Sequence, residues 1–335
     1  MNQSAKIPVT FFFRKPQQQY HSIERVFSRI IENLPDQIQS DIYTLKNGDK
    51  GIISRLKAIK ECRQNRSIIN HITGDISFVA IGLPRKGLII TFHDLESLER
   101  KNKIISYLLK LFWVKIPVRR AKAVTVISEH TREQVMKWAG IGEDKITVIH
   151  NPLPEGFVHL PKEFNSQQPN ILCIGTKQNK NLEGIIKGVE DINCKLIILG
   201  HLQPQQLELL QEYQISYENR YGISDDELIK VYQQCDMLCF PSFYEGFGMP
   251  IIEAQATGRA VITSNYGAMR EVAGEGALLV DPHDDKHLTD AIKRICKNTD
   301  LRKELITKGV ENAMNYNALN IGREYCKLYI QLNRK

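Results

Sequence analysis

Two glutamates bracket a glycine-containing bend in the stretch PSFYEGFGMPIIEAQATG, residues 241–258. Glu245 falls in the loop FYEGFG. Glu253 falls one turn into MPIIEAQATG, which reads as a helix with Pro250 in its first turn and Gly258 at its end. A carboxylate is a strong acceptor for paired hydroxyls. Gly246 and Gly248 let the backbone come close to a ligand. The amides of Gly246, Phe247, Gly248 and Met249 can point at hydroxyl or phosphate oxygens. The stretch therefore has the outline of a site for two polyhydroxylated groups with a phosphate between them, as in a nucleotide-sugar. Read alone, it is equally a helix start with acids nearby.

A second loop, IGTKQNKNLEG, ends a strand at Gly175 and brings Lys180 and Asn181 to the next helix start. Unpaired N–H groups, the helix dipole and a lysine together suit a phosphate or diphosphate. Lys177 is a second candidate, and a solvated lysine in a cap is the plain alternative. His93 closes the strand LIITFH, where it can reach a ligand or serve as a satisfied structural histidine. No D-x-D occurs and Asp225 and Asp226 are adjacent, which argues against a divalent metal holding a diphosphate. Ser224 and Glu227 form a capping box.

The elements that must carry these loops alternate between strand and helix. PVTFFF, ISFVAIG, GLIITFHD and AVTVIS read as buried strands in the first half; NILCIG, CKLIILG, DMLCFPS, AVITS and GALLVD do so in the second. Helical periods lie between them, as in SIERVFSRIIENL, EHTREQVMKWAG and SDDELIKVYQQC. This spacing predicts parallel sheets of βαβ units, built twice, with a Pro- and Asn-rich linker over residues 151–170. Two facing α/β domains form a cleft, and such sheets bind ligands beyond the carboxyl ends of their strands.

No apolar run is long enough to span a bilayer, and the start does not read as a signal peptide. The seven scattered cysteines fit a reducing, cytoplasmic compartment. Residues 1–160 hold 25 Lys and Arg against 15 Asp and Glu, a balance of +10; residues 161–335 hold 20 against 23, a balance of −3. Part of the excess lies in KNKIISYLLKLFWVKIPVRRAK, residues 101–122. That segment suits peripheral contact with an anionic membrane or a charged acceptor, or is a helix with a solvated basic face. Nucleic-acid motifs are missing, so no nucleic-acid partner is expected.

Glu245 and Glu253 with EGFGMPIIEA between them, preceded by PS, resemble the E-x7-E signature of retaining glycosyltransferases of the GT-B fold, family 4. NKNL, YGISDDELIKVYQQCDMLCFPS, AVITSNYGAMREVAG and GALLVDPHD follow in family order. In the first half ITFHD, AKAVTVISEHT and ITVIHNPLP carry a thinner likeness. The resemblance implies two Rossmann-like domains facing a central cleft: 1–160 on the acceptor side, 161–315 for the nucleotide-sugar, and 316–335 as a helix crossing back to the first domain. It implies that Glu253 binds ribose hydroxyls, Glu245 lies at the donor sugar, the amides of Phe247–Met249 hold sugar and phosphate, Lys180 holds the diphosphate, and His93 faces the donor sugar. Many relatives carry an arginine where this chain has Thr176, so Lys177 or the amides would supply that charge. The first-domain loop lacks a glycine pair, which leaves Gln19, His21 and Ser22 as candidates. The activity so implied is metal-independent, retaining transfer of a sugar from a UDP- or GDP-sugar to a saccharide or lipid-linked acceptor of the cell envelope, without a cofactor. A nucleotide-sugar epimerase or a non-catalytic sugar-binding protein on the same scaffold are the alternatives.

Overall fold

The structure is a computed structural model that describes residues 6–15, 22–48, 51–95, 98 and 102–334. The chain divides into two units, Met1–Pro152 with Ala318–Lys335, and Leu153–Asn317. Both are built on a six-stranded parallel sheet.

The first unit runs β1 (Ile7–Phe13), α1 (Ser22–Glu32), β2 (Ile38–Thr44), α2 (Ile52–Gln64), β3 (Ile69–Ile72), β4 (Leu88–Phe92), α3 (Lys103–Leu109), α4 (Ile116–Arg120), β5 (Ala123–Val126), α5 (Glu129–Ala139) and β6 (Ile146–Val148). A π-helical segment, Lys110–Lys115, joins α3 to α4. The strand order is β2-β1-β3-β4-β5-β6.

The stretch ISFVAIG is not a strand. Ser77–Gly82 is a 3-10 helix within the crossover from β3 to its neighbour β4. It is apolar because Phe78, Val79 and Ala80 are buried against that face of the sheet. A short apolar run fits either state, and only topology separates them. The strands that sequence patterning misses have the opposite character. β2 is an edge strand with exposed polar residues, and β3 (INHI) carries Asn70 and His71 into the interior.

The second unit runs β7 (Asn170–Ile174), α6 (Leu182–Gly188), β8 (Lys195–Leu199), α7 (Pro204–Glu212), β9 (Ser216–Arg220), α8 (Asp225–Gln234), β10 (Met237–Phe240), α9 (Met249–Thr257), β11 (Ala260–Ser264), α10 (Gly267–Ala273), β12 (Leu278–Val280), α11 (Asp285–Lys297) and α12 (Thr299–Ala313). Its order, β12-β11-β10-β7-β8-β9, is that of the dinucleotide-binding fold. The order reverses between β7 and β10, so the loops after these two strands flank the crevice where such sheets take ligands. The buried carboxylate of Asp236 fixes the entry to β7, accepting from the backbone N–H of Asn165 (3.1 Å) and Asn170 (2.8 Å) and pairing with Lys162.

The last helix, α13 (Ala318–Arg334), belongs to the first unit. Ile321, Tyr325 and Tyr329 join the core with Val9, Phe11, Phe27 and Ile69. His71 ties it to the sheet: Nδ1 lies 2.8 Å from Tyr329 Oη and Nε2 lies 2.7 Å from Thr91 Oγ1, which is 2.5 Å from Thr125 Oγ1. Both ring nitrogens are thus partnered in a fully buried setting, as buried polar groups must be.

Candidate active site

Gly175 ends β7 at φ +90°, a left-handed conformation that favours glycine. Its missing side chain also makes room: a Cβ there would stand 2.8 Å from Lys180 Cγ. The Lys180 side chain folds back over this gap. Its Nζ reaches Glu245 Oε1 at 2.5 Å and lies 4.9 Å from the centre of the Phe240 ring. The two loops are stitched at two further points. The Phe243 N–H donates to Asn179 O (2.8 Å), and Asn179 Nδ2 donates to Tyr244 O (3.1 Å). The residues after β7 and β10 therefore form one framework at the switch point. Lys180 and Glu245 are both partly exposed within it.

Gly248 opens α9 at φ +108° and Gly258 closes it at φ +79°, with Pro250 in the first turn. Glu253 lies on this helix and is buried, 7% exposed. Tyr232 of α8 donates its hydroxyl to Glu253 Oε2 at 2.6 Å. Burial pushes the Glu253 carboxyl up to about 7; the Tyr232 bond pulls the other way, because it favours the anion. Nothing in the sequence marks Tyr232. Within DDELIKVYQQ it has only the signature of a core aromatic, and its ring does pack edge-on against Phe157 at 5.2 Å.

The other donor-side candidates separate. Phe247 is buried with its ring against Tyr316 at 5.7 Å, so its side chain anchors the loop. Gly246 and Met249 are partly exposed beside it. Thr176 is buried and donates its hydroxyl to His201 O at 2.6 Å, while its carbonyl accepts from Gln206 Nε2 at 2.8 Å. Lys177 is exposed. Thr176 and Lys177 line a cavity of about 770 Å³ with Lys187, Gln203 and His283. Lys180, Glu245 and Glu253 do not line that cavity, although the Lys180 N–H donates to Lys177 O at 2.8 Å.

In the first unit His93 follows β4. Its Nε2 lies 2.8 Å from Thr73 O, so Nε2 carries the proton and Nδ1 is left as an acceptor. Desolvation pushes the imidazole down to about 4, which keeps it neutral at pH 7. With Asp75, Asp94, Leu109 and Trp113 it lines a cavity of about 220 Å³. Asp75 is paired with Arg14 at 2.9 Å, and Arg14 also binds Glu24 at 2.7 Å. Gln19 and His21 lie outside the described residues, as does the side chain of Ser22.

Two family models match the chain in tandem. Glycosyltransferase Family 4 covers residues 6–155, and Glycosyl transferases group 1 covers residues 159–312. The chain belongs to glycosyltransferase family 4. Like other GT-B proteins of this family, it carries two Rossmann-like parallel-sheet units. This family-4 chain is 30% identical over 214 residues to the O-antigen chain mannosyltransferase RfbU of Salmonella typhimurium, covering 62% of this chain and 60% of that protein. It is 25% identical over 276 residues to the serotype-specific mannosyltransferase WbdA of Escherichia coli, covering 73% of this chain and 33% of that protein. The chain thus spans about three fifths of the one relative and a third of the other. In fold it matches HepE of Anabaena, crystallised with UDP and glucose, at a TM-score of 0.77 and 14% identity over 97% of this chain and all of that one.

Proposed function

We propose that this chain is a retaining, metal-independent glycosyltransferase that moves a sugar from a nucleoside-diphosphate-sugar to an acceptor hydroxyl in cell-envelope polysaccharide synthesis. The observation that carries this reading is the Lys180–Glu245 pair at the switch point of the second sheet. Mannose is the first sugar to try, since two curated relatives are mannosyltransferases. UDP and GDP are the first nucleotides.

In this reading Glu253 takes the ribose hydroxyls, and its carboxyl near 7 becomes an anion when two donors meet it. The backbone from Gly246 to Met249 lies along the diphosphate and sugar. Lys180 exchanges Glu245 for the diphosphate, which frees Glu245 to accept from the donor sugar. As the bond from the anomeric carbon to the phosphate oxygen breaks, charge grows on the diphosphate. Lys180 and the start of α9 stabilise it electrostatically. The acceptor oxygen bonds to the anomeric carbon on the face the diphosphate leaves, and its proton passes to the departing phosphate oxygen. His93, neutral and with Nδ1 as an acceptor, is suited to orient a substrate hydroxyl at the first unit. Gly175 is the gap over which Lys180 moves. Thr176 and Lys177 border the framework without a direct part.

A thermal-shift screen of UDP-, GDP- and ADP-sugars tests the donor site, because a ligand that binds only the folded state raises the melting temperature. The absence of any shift would remove the reading. NMR of the product, with activity assayed in EDTA, tests the rest. An inverted anomer or a magnesium requirement would each contradict it.

A further inference from the structure

The cavity of about 770 Å³ in the second unit has a lining that the proposed transfer does not use. Small-molecule sites run from about 300 to 1,000 Å³, so its size is that of a binding site. Gly184 of α6 lines it without a side chain, and a Cβ there would stand 2.4 Å from Asn181 Oδ1. Asn181 is 5% exposed, and its Nδ2 donates to Pro282 O at 2.8 Å. That bond turns Oδ1 over Gly184, where no helix-cap bond uses it. The amides of Gln178 and Gln205 stand exposed at the rim. One wall is a ring stack: Phe243 and the exposed His283 lie 4.7 Å apart at 26°.

Charge and chemistry identify the occupant. Lys177 and Lys187 on this lining are balanced by Glu183 and Asp285, so the cavity does not concentrate an anion. Among the described residues no Leu, Ile, Val or Met lines it, which argues against an apolar ligand. A carboxamide offers a donor and an acceptor on one planar group, and a hydroxyl can answer both. Neighbouring hydroxyls on a sugar ring therefore pair with such amides whichever way they point. The apolar C–H side of the same ring suits the electron-rich face of an aromatic stack.

The cavity also adjoins the framework. The Lys180 N–H donates to Lys177 O at 2.8 Å, and the Phe243 N–H donates to Asn179 O at 2.8 Å. A ligand resting on Lys177 and Phe243 is thus one hydrogen bond from the loop that carries Lys180.

We propose that this cavity is a second saccharide site, and that it holds an uncharged stretch of the glycan chain that the enzyme extends. That it takes a saccharide rests on the cavity alone. That the saccharide is the growing chain rests on the proposed transferase activity.

The test is calorimetric titration of the full chain with three uncharged trisaccharides, maltotriose, cellotriose and α-1,3-mannotriose, with and without UDP or GDP. Inorganic phosphate is titrated in parallel. The expected result is saturable binding of at least one trisaccharide, unchanged by nucleotide, and no binding of phosphate. Two variants read the site from different elements. Gln205→Trp fills the cavity from α7, and His283→Ala removes the outer ring of the stack. Each should weaken trisaccharide binding by about tenfold, the scale of one aromatic contact, with the melting temperature and the donor thermal shift of the parent. Binding of none of the three overturns the proposal, and so does equal binding by parent and variants. Phosphate bound in place of sugar overturns it too and makes the cavity an anion site. Transfer assays test the second clause. Gln205→Trp should raise the KM for a long acceptor about tenfold, with kcat and the KM for a one-sugar acceptor unaltered. An unaltered KM for the long acceptor removes the growing chain and keeps the saccharide. A parent without any donor shift would instead strike the transferase reading and leave trisaccharide binding in place.

Discussion

In the second unit the loops after β7 and β10 hold Lys180 against Glu245 at 2.5 Å, and Tyr232 holds Glu253 at 2.6 Å. In the first unit the loops after β3 and β4 bring a neutral imidazole, His93, together with Asp75 and Asp94 around a small cavity, and Arg14 holds Asp75 at 2.9 Å. The sheets are both six-stranded and parallel, so architecture does not explain the contrast. The difference lies in which ionisable groups stand at each carboxyl edge. The second unit places a lysine–glutamate pair there. The first places a neutral imidazole there beside an arginine already shared by two acids, and it buries a second imidazole in the middle of a strand, where His71 joins the sheet to α13.

The largest effect expected is at the edge of the second sheet. Lys180→Ala should lower kcat by about 10²-fold or more, the usual scale for a group that meets charge growing in the transition state. Steady-state kinetics check it. Unaltered kinetics would mean that Lys180 serves only to tie two loops together, and the contrast between the units would lose its functional content.

Glu253 and His71 sharpen the contrast through pH, because their shifts have opposite sense. The Glu253 carboxyl, near 7 when folded, stands above its unfolded value of about 4.3. The cost of burying its charge is absent below pH ~4, grows as pH rises between these values, and is complete above 7. Glu253→Gln should therefore stabilise the ligand-free protein by up to ~3 kcal/mol at pH 8 and by only ~1 kcal/mol at pH 5. The same change should raise the donor KM by roughly 10- to 100-fold, because hydroxyls lose a charged acceptor. Urea denaturation and kinetics at the two pH values check both halves.

His71 runs the other way. Burial pushes it down to about 3, below an unfolded value of about 6.5. The stability it contributes is whole above pH 6.5 and is lost as pH falls, about 2 kcal/mol by pH 5, with a smaller share from the partly exposed His93. Both tryptophans, Trp113 and Trp138, lie in the first unit, so their fluorescence reports its unfolding alone. The midpoint so measured should drop by several degrees from pH 7 to pH 5. A constant midpoint would show that the His71 network does not hold α13 in place.

The candidate site of the second unit is legible in the sequence because each of its loops is marked locally. FYEGFGMPIIE carries two acids around glycines, and GTKQNK brings a lysine to a helix start; the structure joins the two loops through Lys180 and Glu245. The fold of that unit was legible from five apolar strands. Edge strands hid themselves: β9 is SYENR, polar because water covers one side. The first unit was harder for the converse reason. Asn70 and His71 break the apolar run of β3; Asn70 bonds back to Ser67 in the loop just before the strand, and the His71 partners Thr91 and Tyr329 come from other elements. ISFVAIG had strand composition but belongs to a crossover. Thr176 gives its hydroxyl to His201 O, a bond no spacing announces.

Tyr232 offers the smallest and most discriminating test. It touches no donor group in the proposed reading and acts through Glu253, so it is a positioning residue. Tyr232→Phe keeps the ring against Phe157 and removes one hydrogen bond to a carboxylate, a loss of about 1 kcal/mol. The donor KM should rise about fivefold with kcat unchanged. The pH dependence separates positioning from packing. The hydroxyl favours the charged carboxyl, so its removal raises the carboxyl further above 7. Donor binding, which strengthens as Glu253 ionises, should then need a higher pH, and raising the pH from 7 to 8.5 should recover most of the loss. If the variant has a higher KM but the same pH midpoint, Tyr232 only packs the core. Glu253 would then be oriented by α9 alone, and the second unit would hold its acids no more deliberately than the first holds His93.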